Sequence, residues 1–312
     1  MDPEVAGHAR PRTFAVVLNY RTASATIAAV RSLQASTSPP ASIIVVDNAS
    51  GDDSLPRVRS DAPDAQLIAS AVNSGFSGGC NVGIRAALDQ GASRVLLLNG
   101  DVDVPPLTLS VLEYVFHKEP RVGVAGPIVT MRSDPSSIES AGISYSPATG
   151  RMRHLGHNAR QSDTPLAACR DVDAVSGCAM LVRREVFETV GLFAEEYFYG
   201  FEDLEFCLRA KAAGFRTVCA GDAVVKHDGG ASIGRASPRR LYFAARNHLL
   251  LATRVGPQAW PIRFARATNI VGLNVAHALV QSGAIAPSLA AIGRGVRDHL
   301  KGRYGSDYST NR

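Results

Sequence analysis

At Leu96-Leu97-Leu98-Asn99-Gly100-Asp101-Val102-Asp103 an apolar run ends in two carboxylates spaced two residues apart. Backbone geometry can aim carboxylates at that spacing toward one divalent ion. Mg²⁺ and Mn²⁺ prefer such an oxygen shell, completed by phosphate oxygens and water. Asp101 is the expected metal ligand, with Asp103 as a second candidate. An Asp at a strand end also caps ordinary turns, so the motif alone decides nothing. His227 closes another apolar run, Ala223-Val224-Val225-Lys226, and precedes Asp228-Gly229-Gly230. A neutral imidazole emerging where a loop begins is a good Mn²⁺ ligand, although many strand-end histidines are simply hydrogen-bonded.

A second set of carboxylates, Glu202, Asp203 and Glu205, opens a helical pattern running through Leu204, Cys207, Leu208 and Ala212 to Gly214. Acids in a first helical turn favour the positive end of the helix dipole, which is reason enough for them to be there. Glu202 and Asp203 also follow the aromatic cluster Tyr197, Phe198, Tyr199 and Phe201. Partial desolvation there would raise a carboxyl pKa toward that of a general base. Asn73 to Gly83 is glycine-rich and opens a helix, so its backbone N–H groups are candidates to meet a pyrophosphate. It lacks GxGxxG spacing and follows the third strand, which argues against a dinucleotide fold.

These residues need elements that bring them together. Short β-branched runs alternate with helical patterns through the first half of the chain, which predicts parallel strands with crossover helices. Strands are expected over residues 14–18, 43–46, 66–69, 94–98 and 122–125, and amphipathic helices over 26–35, 79–89 and 107–116. The α/β class follows, with a Rossmann-like, mostly parallel central sheet flanked by helices. Ligands of such sheets sit beyond the carboxyl ends of the strands. There the chain places Asn19-Tyr20-Arg21, Asp47-Asn48-Ala49-Ser50, Asn73-Ser74-Gly75 and Asn99-Gly100-Asp101. Residues 131–173 show little periodicity and read as an irregular excursion over the site, as a hairpin or a loop. Beyond Pro238 the pattern is mostly helical.

With 312 residues, 46% of them apolar and 20% charged, the chain can bury a full core. Its net charge of +5 suits an anionic partner such as a nucleotide, a lipid phosphate or a membrane surface, while no basic block is dense enough for nucleic acid. The five cysteines never fall in CxxC spacing and read as reduced core residues of a cytoplasmic protein. Residues 1–12 carry Pro3, Pro11 and several charges, which predicts a disordered segment without the apolar stretch of a secretory signal. No apolar run is long enough to span a membrane. Residues 251–312 are expected to form a helical C-terminal extension to a catalytic domain over residues 13–250. Its apolar faces, edged by basic residues, suit either a peripheral position on the membrane or packing against that domain.

In their order, Val16-Val17-Leu18-Asn19-Tyr20, Val45-Val46-Asp47-Asn48-Ala49-Ser50, Asn73 through Gly83, Leu97-Leu98-Asn99-Gly100-Asp101, Ser176-Gly177-Cys178-Ala179, Glu202-Asp203-Leu204-Glu205 and His227 resemble the motifs of the inverting glycosyltransferases of family two. The resemblance is to their rhamnosyltransferase-like bacterial branch, and it covers roughly residues 14–250. It implies the GT-A fold and transfer of a sugar, with L-rhamnose from dTDP-rhamnose one candidate, from a nucleotide diphosphate donor to a glycan or lipid-linked acceptor hydroxyl in cell-surface polysaccharide synthesis.

By this resemblance Asp47 contacts the base or ribose, Asn73 and Gly75 shape the donor pocket with Asn19 and Asn99 nearby, and Asp101 with His227 holds a divalent metal. Asp203 is then the catalytic base, with Glu202 beside it. Arg246-Asn247 resembles an Arg-Asn segment of the same branch, where Arg246 offsets phosphate charge or makes a structural salt bridge. Asn99 stands where many relatives have an acid, which leaves Asp101 the one charged ligand unless Asp103 takes part. A nucleotidyltransferase acting on sugar phosphates and a non-catalytic sugar-binding scaffold are the alternatives.

Overall fold

The computed structural model describes residues 11–161, 168–227, 237–281 and 283–306. Most of the expected disordered segment, and the Asp228-Gly229-Gly230 turn, therefore lie outside the described residues. The first half runs β1 (Thr13–Asn19), α1 (Ala23–Gln34), β2 (Ser42–Asp47), α2 (Ser54–Asp61), β3 (Gln66–Ala69), α3 (Gly75–Asp89), β4 (Arg94–Asn99), β5 (Val102–Asp103), α4 (Thr108–Lys118) and β6 (Val122–Met131). The short strands β7 (Ile138–Ser140), β8 (Ile143–Tyr145), β9 (Met152–His154) and β10 (Arg170–Asp171) follow, then β11 (Ala179–Arg183), α5 (Arg184–Val190), α6 (Glu202–Ala212) and β12 (Arg216–His227). Three helices end the described chain: α7 (Pro238–Arg254), α8 (Trp260–Gln281) and α9 (Ile285–Leu300).

The main sheet has the order β10-β12-β6-β11-β4-β1-β2-β3, with β5 on β12 and β7 on β6. β1, β2, β3 and β4 are parallel neighbours, while β11 enters antiparallel between β4 and β6. Strands covered on both faces read as unbroken apolar runs because alternate side chains feed two separate cores. Phe14, Val16, Ile44, Val46 and Leu97 pack on one face with Cys80 and Ile84 of α3. Ala15, Val17, Val45, Leu96 and Leu98 pack on the other with Ile27, Val30 and Leu33 of α1. Cys80, Cys178, Cys207 and Cys219 are buried and all five cysteines are free thiols, as read from their apolar settings.

Two sequence expectations change. β6 extends six residues past its expected end at Ala125 and passes straight through Gly126-Pro127. The register of β12 shifts between Ala220 and Val224, opposite Pro127 and Ile128. This bulge accommodates a proline that cannot donate to the ladder. α3 begins at Gly75 rather than at residue 79, because its glycines serve packing. A Cβ at Gly83 would lie 2.2 Å from Val16 and one at Gly79 would lie 2.5 Å from Leu18. Residues 131–173 contain the β8–β9 hairpin, which the sequence suggested without locating.

At the other end, Ser237 caps α7 by accepting from the Arg240 amide at 3.2 Å. α9 lies tightly on α7, since a Cβ at Gly295 would come within 2.5 Å of the Tyr242 carbonyl oxygen. The expected boundary at residue 250 thus falls inside a continuous helix, α7.

Candidate active site

β4 ends at Asn99 and the chain turns through Gly100 into β5, which pairs antiparallel with the end of β12 so that Val102 stands opposite His227. This pairing brings His227 Nε2 to 3.3 Å from Asp101 Oδ1 and 3.4 Å from Asn99 Nδ2. On the other edge of the ring, Nδ1 lies 3.1 Å from Glu139 Oε2, which comes from β7. Burial opposes a charge on His227, but hydrogen bonds to Asp101 and Glu139 outweigh it and push its pKa up to about 9. Burial likewise acts to raise the Asp101 pKa, and the His227 contact reverses that and holds it below its ordinary value.

The donor set can be tested against a divalent ion. Asn99 turns its Nδ2 toward His227 at 3.4 Å, while its buried Oδ1 has no hydrogen-bond partner. Ligands about 2.1 Å from one ion and at right angles stand roughly 3 Å apart, close to the 3.3 and 3.4 Å that separate His227 from Asp101 and Asn99. Exchanging the Asn99 amide O and N would turn its oxygen to this face, and that assignment follows from whichever partner is present. One carboxylate, one amide oxygen and one imidazole therefore fit a Mn²⁺ or Mg²⁺ that also takes ligands from its substrate. Among the described residues no cluster of three or more His, Cys, Asp or Glu side chains is arranged to hold a metal alone. Asp103 does not join this set. It pairs with Lys226 at 3.2 Å, directly opposite it in the ladder, and on a pleated strand that face is the one turned away from His227.

Asp203, in the first turn of α6, accepts from the Gly177 amide at 2.9 Å and from the Leu204 amide at 2.8 Å. Gly177 packs closely here, since a Cβ there would stand 3.3 Å from both Asp203 Cβ and the Phe76 ring. Glu202 beside it is buried, with Oε2 lacking a partner. Burial, reinforced by the negative charge of Asp203, raises the Glu202 pKa to about 8. Desolvation thus acts on Glu202, which keeps its proton near neutral pH. Asp203, only half buried, stays in reach of the cleft. Glu205 is buried and bound to Arg209 at 2.8 Å, which makes it structural.

The loop that delivers these two carboxylates is unusual. Phe198, Gly200 and Phe201 all have positive φ, at 59°, 82° and 73°, and two of these are residues that disfavour that region. Its carbonyls are held from α7. Asn247 Nδ2 donates to the oxygens of Tyr197, Tyr199 and Gly200 at 2.7, 2.9 and 2.9 Å. Arg246 reaches the oxygens of Tyr197 and Glu196, and from its other terminal nitrogen that of Gly305. Arg246 is completely buried and does not line the cleft described below. The structure therefore gives it a different task from offsetting phosphate charge: its guanidinium satisfies main-chain carbonyls.

At the ends of β2 and β3 a second group forms. Asn19 is fully buried, and its amide donates to Asp47 Oδ1 at 2.6 Å while accepting from Thr26 at 2.9 Å. It thus positions Asp47 and leaves no free group for a ligand. Asn48, to which the sequence assigned no task, braces the next loop: its Nδ2 donates to the Gly75 carbonyl at 2.9 Å and its Oδ1 accepts from the Ser74 amide at 3.1 Å. Asn73 Oδ1 accepts from the Gly75 amide at 2.9 Å, and the Phe76 amide is spent on the Phe198 carbonyl. These first amides of α3 are already occupied, which removes the pyrophosphate-cradle expectation for them. Gly75 itself is required, with φ of 73° and a Cβ position that would collide with Phe198.

Asn99, His227, Glu139, Glu202 and Asp203 all border one cleft of about 570 Å³, whose far wall is the β8–β9 hairpin and helices α7 and α8. That wall is basic and imidazole-rich, with Arg151, Arg153, His154, His157, Arg240 and His277. Asp47, Asn73 and Gly75 stand outside this cleft. Glu139 carried no sequence signal of its role, as it sits in an aperiodic segment 88 residues from His227, and Asn247 was marked only as part of the Arg246-Asn247 pair.

Known proteins share this chain's family and fold. The family described as "Glycosyltransferase like family 2" matches residues 11–249. A low-salt glycan biosynthesis hexosyltransferase of Haloferax volcanii is 28% identical over 206 residues, which is 63% of this chain and 60% of that protein, so the chain spans less than two thirds of it. The N-acetylglucosaminyl-diphospho-decaprenol L-rhamnosyltransferase of Mycobacterium tuberculosis is 29% identical over 221 residues, 65% of this chain and 72% of that one. Among solved structures, the mannosyltransferase PcManGT from Pyrobaculum calidifontis in complex with GDP-Man and Mn²⁺ is similar in fold, with a TM-score of 0.59 at 18% identity, covering 96% of this chain and 90% of its own.

Proposed function

This chain belongs to glycosyltransferase family 2, and from that premise we propose that it is a metal-dependent, inverting hexosyltransferase that moves a sugar from a nucleotide diphosphate donor to a hydroxyl of a lipid-linked glycan acceptor. The observation that carries the reading is that His227, in contact with Asp101 and Asn99, borders one cleft together with the Asp203 carboxylate. L-rhamnose is the favoured sugar and a polyprenyl-diphosphate sugar the favoured acceptor, both carried over from the name of the mycobacterial relative, with dTDP-rhamnose the donor that the family resemblance implies. The basic wall of the cleft suits an acceptor diphosphate.

In this mechanism Asp203 takes the proton of the acceptor hydroxyl, whose oxygen attacks the anomeric carbon from the face opposite the nucleotide. The bond from that carbon to the diphosphate oxygen breaks, the nucleoside diphosphate departs with the electron pair, and the anomeric configuration inverts. Asn99, Asp101 and His227 would hold a divalent ion whose charge, when bound, offsets that of the leaving diphosphate. Gly177 and Leu204 fix the Asp203 oxygens, and neutral Glu202 adds no second negative charge beside the base. A nucleotidyltransferase is disfavoured because β1 passes through Asn19, locked to Asp47, directly into α1 without a glycine-rich loop.

The test is calorimetric titration with dTDP, UDP, GDP and ADP, with and without Mn²⁺, followed by transfer assays with the matching nucleotide sugar. Binding of one diphosphate only with metal supports the reading and names the donor's base. A folded protein that binds none of them returns the scaffold alternative.

A further inference from the structure

We propose that the outward face of α8 and the start of α9 form a docking surface for an anionic lipid bilayer, a surface that deepens the lipid-linked reading by holding the cleft at the membrane. α8 is two-sided. Its inner edge contributes Leu273, Asn274 and His277 to the cleft, and Arg266, Ile270, Asn274 and Ala278 are buried against the rest of the protein. Its outer face exposes Trp260, Phe264, Leu279 and Val280, the first and last of these 78% and 79% exposed, and α9 continues this with exposed Ile285 and Leu289. Between Trp260 and Leu279 the same exposed stripe passes Thr268, Gly272 and Ala276, so it is uncharged throughout. Residues 267–293 contain no Asp, Glu, Lys or Arg at all.

Large apolar side chains displayed over a surface of this length mark an interaction site. What chooses a bilayer is the charge at its border. Arg263, Arg297, Lys301 and Arg303 are exposed at the end of the helix pair away from the Leu279–Ile285 turn. The one acid between Trp260 and Arg303 is Asp298, which is buried and accepts from the Tyr242 hydroxyl at 3.0 Å. Uncharged faces edged by Arg and Lys, with Trp and Phe on the apolar side, lie in the interface of anionic membranes. Among the described residues no helix is long and apolar enough to cross one. The opposite edge of the docked helix lines the acceptor cleft, so a lipid-borne diphosphate could enter the basic wall while its chain stays in the bilayer.

Trp260 is the only tryptophan of the chain, which makes the surface its own reporter. Mixing the full chain with vesicles of phosphatidylcholine containing phosphatidylglycerol should shift Trp260 emission to the blue and make it quenchable by brominated acyl chains. Pure phosphatidylcholine or high salt should weaken the effect at least about tenfold, since the attraction is screened. Phe264→Glu with Leu279→Glu should abolish vesicle flotation while the protein keeps its melting transition and its transfer to a water-soluble acceptor. An unchanged emission spectrum with both vesicle types overturns the proposal. A blue shift that grows with protein concentration without lipid, together with a doubled mass in sedimentation, overturns it in favour of a second copy. Vesicle binding needs neither donor nor acceptor, so a chain that binds vesicles yet transfers no sugar would refute the transferase reading alone.

Discussion

The Gly177 amide donates to Asp203 Oδ2 at 2.9 Å, and the next residue, Cys178, accepts from the Asn99 amide at 2.9 Å. Two consecutive residues thus couple Asp203 on α6, the proposed base, to the strand end that carries Asn99 and the proposed metal site. Since acceptor hydroxyl and leaving diphosphate must be aligned within fractions of an ångström, such a short rigid connection is a means of fixing one relative to the other.

Asp203→Asn keeps an oxygen for the Gly177 amide but cannot take a proton. Turnover should fall by at least about a hundredfold, the usual contribution of a general base, with the donor Kd from calorimetry almost unchanged. Near-native kcat would exclude Asp203 from that role.

Glu139 faces the imidazole nitrogen opposite the one nearest Asp101. A carboxylate in this position fixes ring orientation and raises ligand basicity, and its loss typically costs about 10–100-fold in metal affinity. Glu139→Gln should lower Mn²⁺ affinity by that order, read by electron paramagnetic resonance of the free ion in the presence of nucleoside diphosphate. Asp101→Ala should lower it further. Equal Mn²⁺ affinity in all three proteins would move the metal elsewhere.

Glu202 has a folded-state pKa of about 8 against an ordinary value of 4.5. The folded chain therefore holds a proton that the unfolded chain has lost across that window. The stability this gives is complete below about pH 4.5 and disappears as pH rises through 8. Glu202→Gln has no such loss, so its melting temperature relative to the native chain should climb steadily between pH 5 and 8 and then level off. A difference that stays flat with pH would show that Glu202 ionises normally.

Asn247→Ala takes their side-chain donor from the Tyr199 and Gly200 carbonyls of a strained loop and leaves that of Tyr197 to Arg246. Unsatisfied buried groups cost about 1–3 kcal/mol each, and water entering the gap recovers part of this, so a loss of roughly 2–4 kcal/mol is expected by denaturant titration. The transfer rate should fall with it because the loop carries Asp203. Arg246→Lys should be nearly as damaging, since a single ammonium cannot replace a guanidinium fork. Native stability in Asn247→Ala would mean that the loop holds itself.

The sheet was legible where strands are covered on both faces: the unbroken runs of β1, β2 and β4 exist because odd and even residues feed different cores. The second half of β6 was not, because Gly126-Pro127 signals a break unless the bulge of β12, 93 residues further on, is known. Among site residues, Asp101, His227 and Asp203 announce themselves by following apolar runs or opening a helix. Glu139 cannot, as its importance is created by β7 pairing with β6 and so meeting His227. Arg246 misled because charge suggests phosphate, whereas a row of left-handed residues leaves carbonyls that need the same donor.

Gly305, near the last described residue, donates its amide to the Glu196 carbonyl and accepts from Arg246. The segment after α9 is therefore tied to the loop that leads into Asp203, through bonds in which the sheet has no part. Fraying of α9 would reach Asp203 before it disturbed β1 or β4.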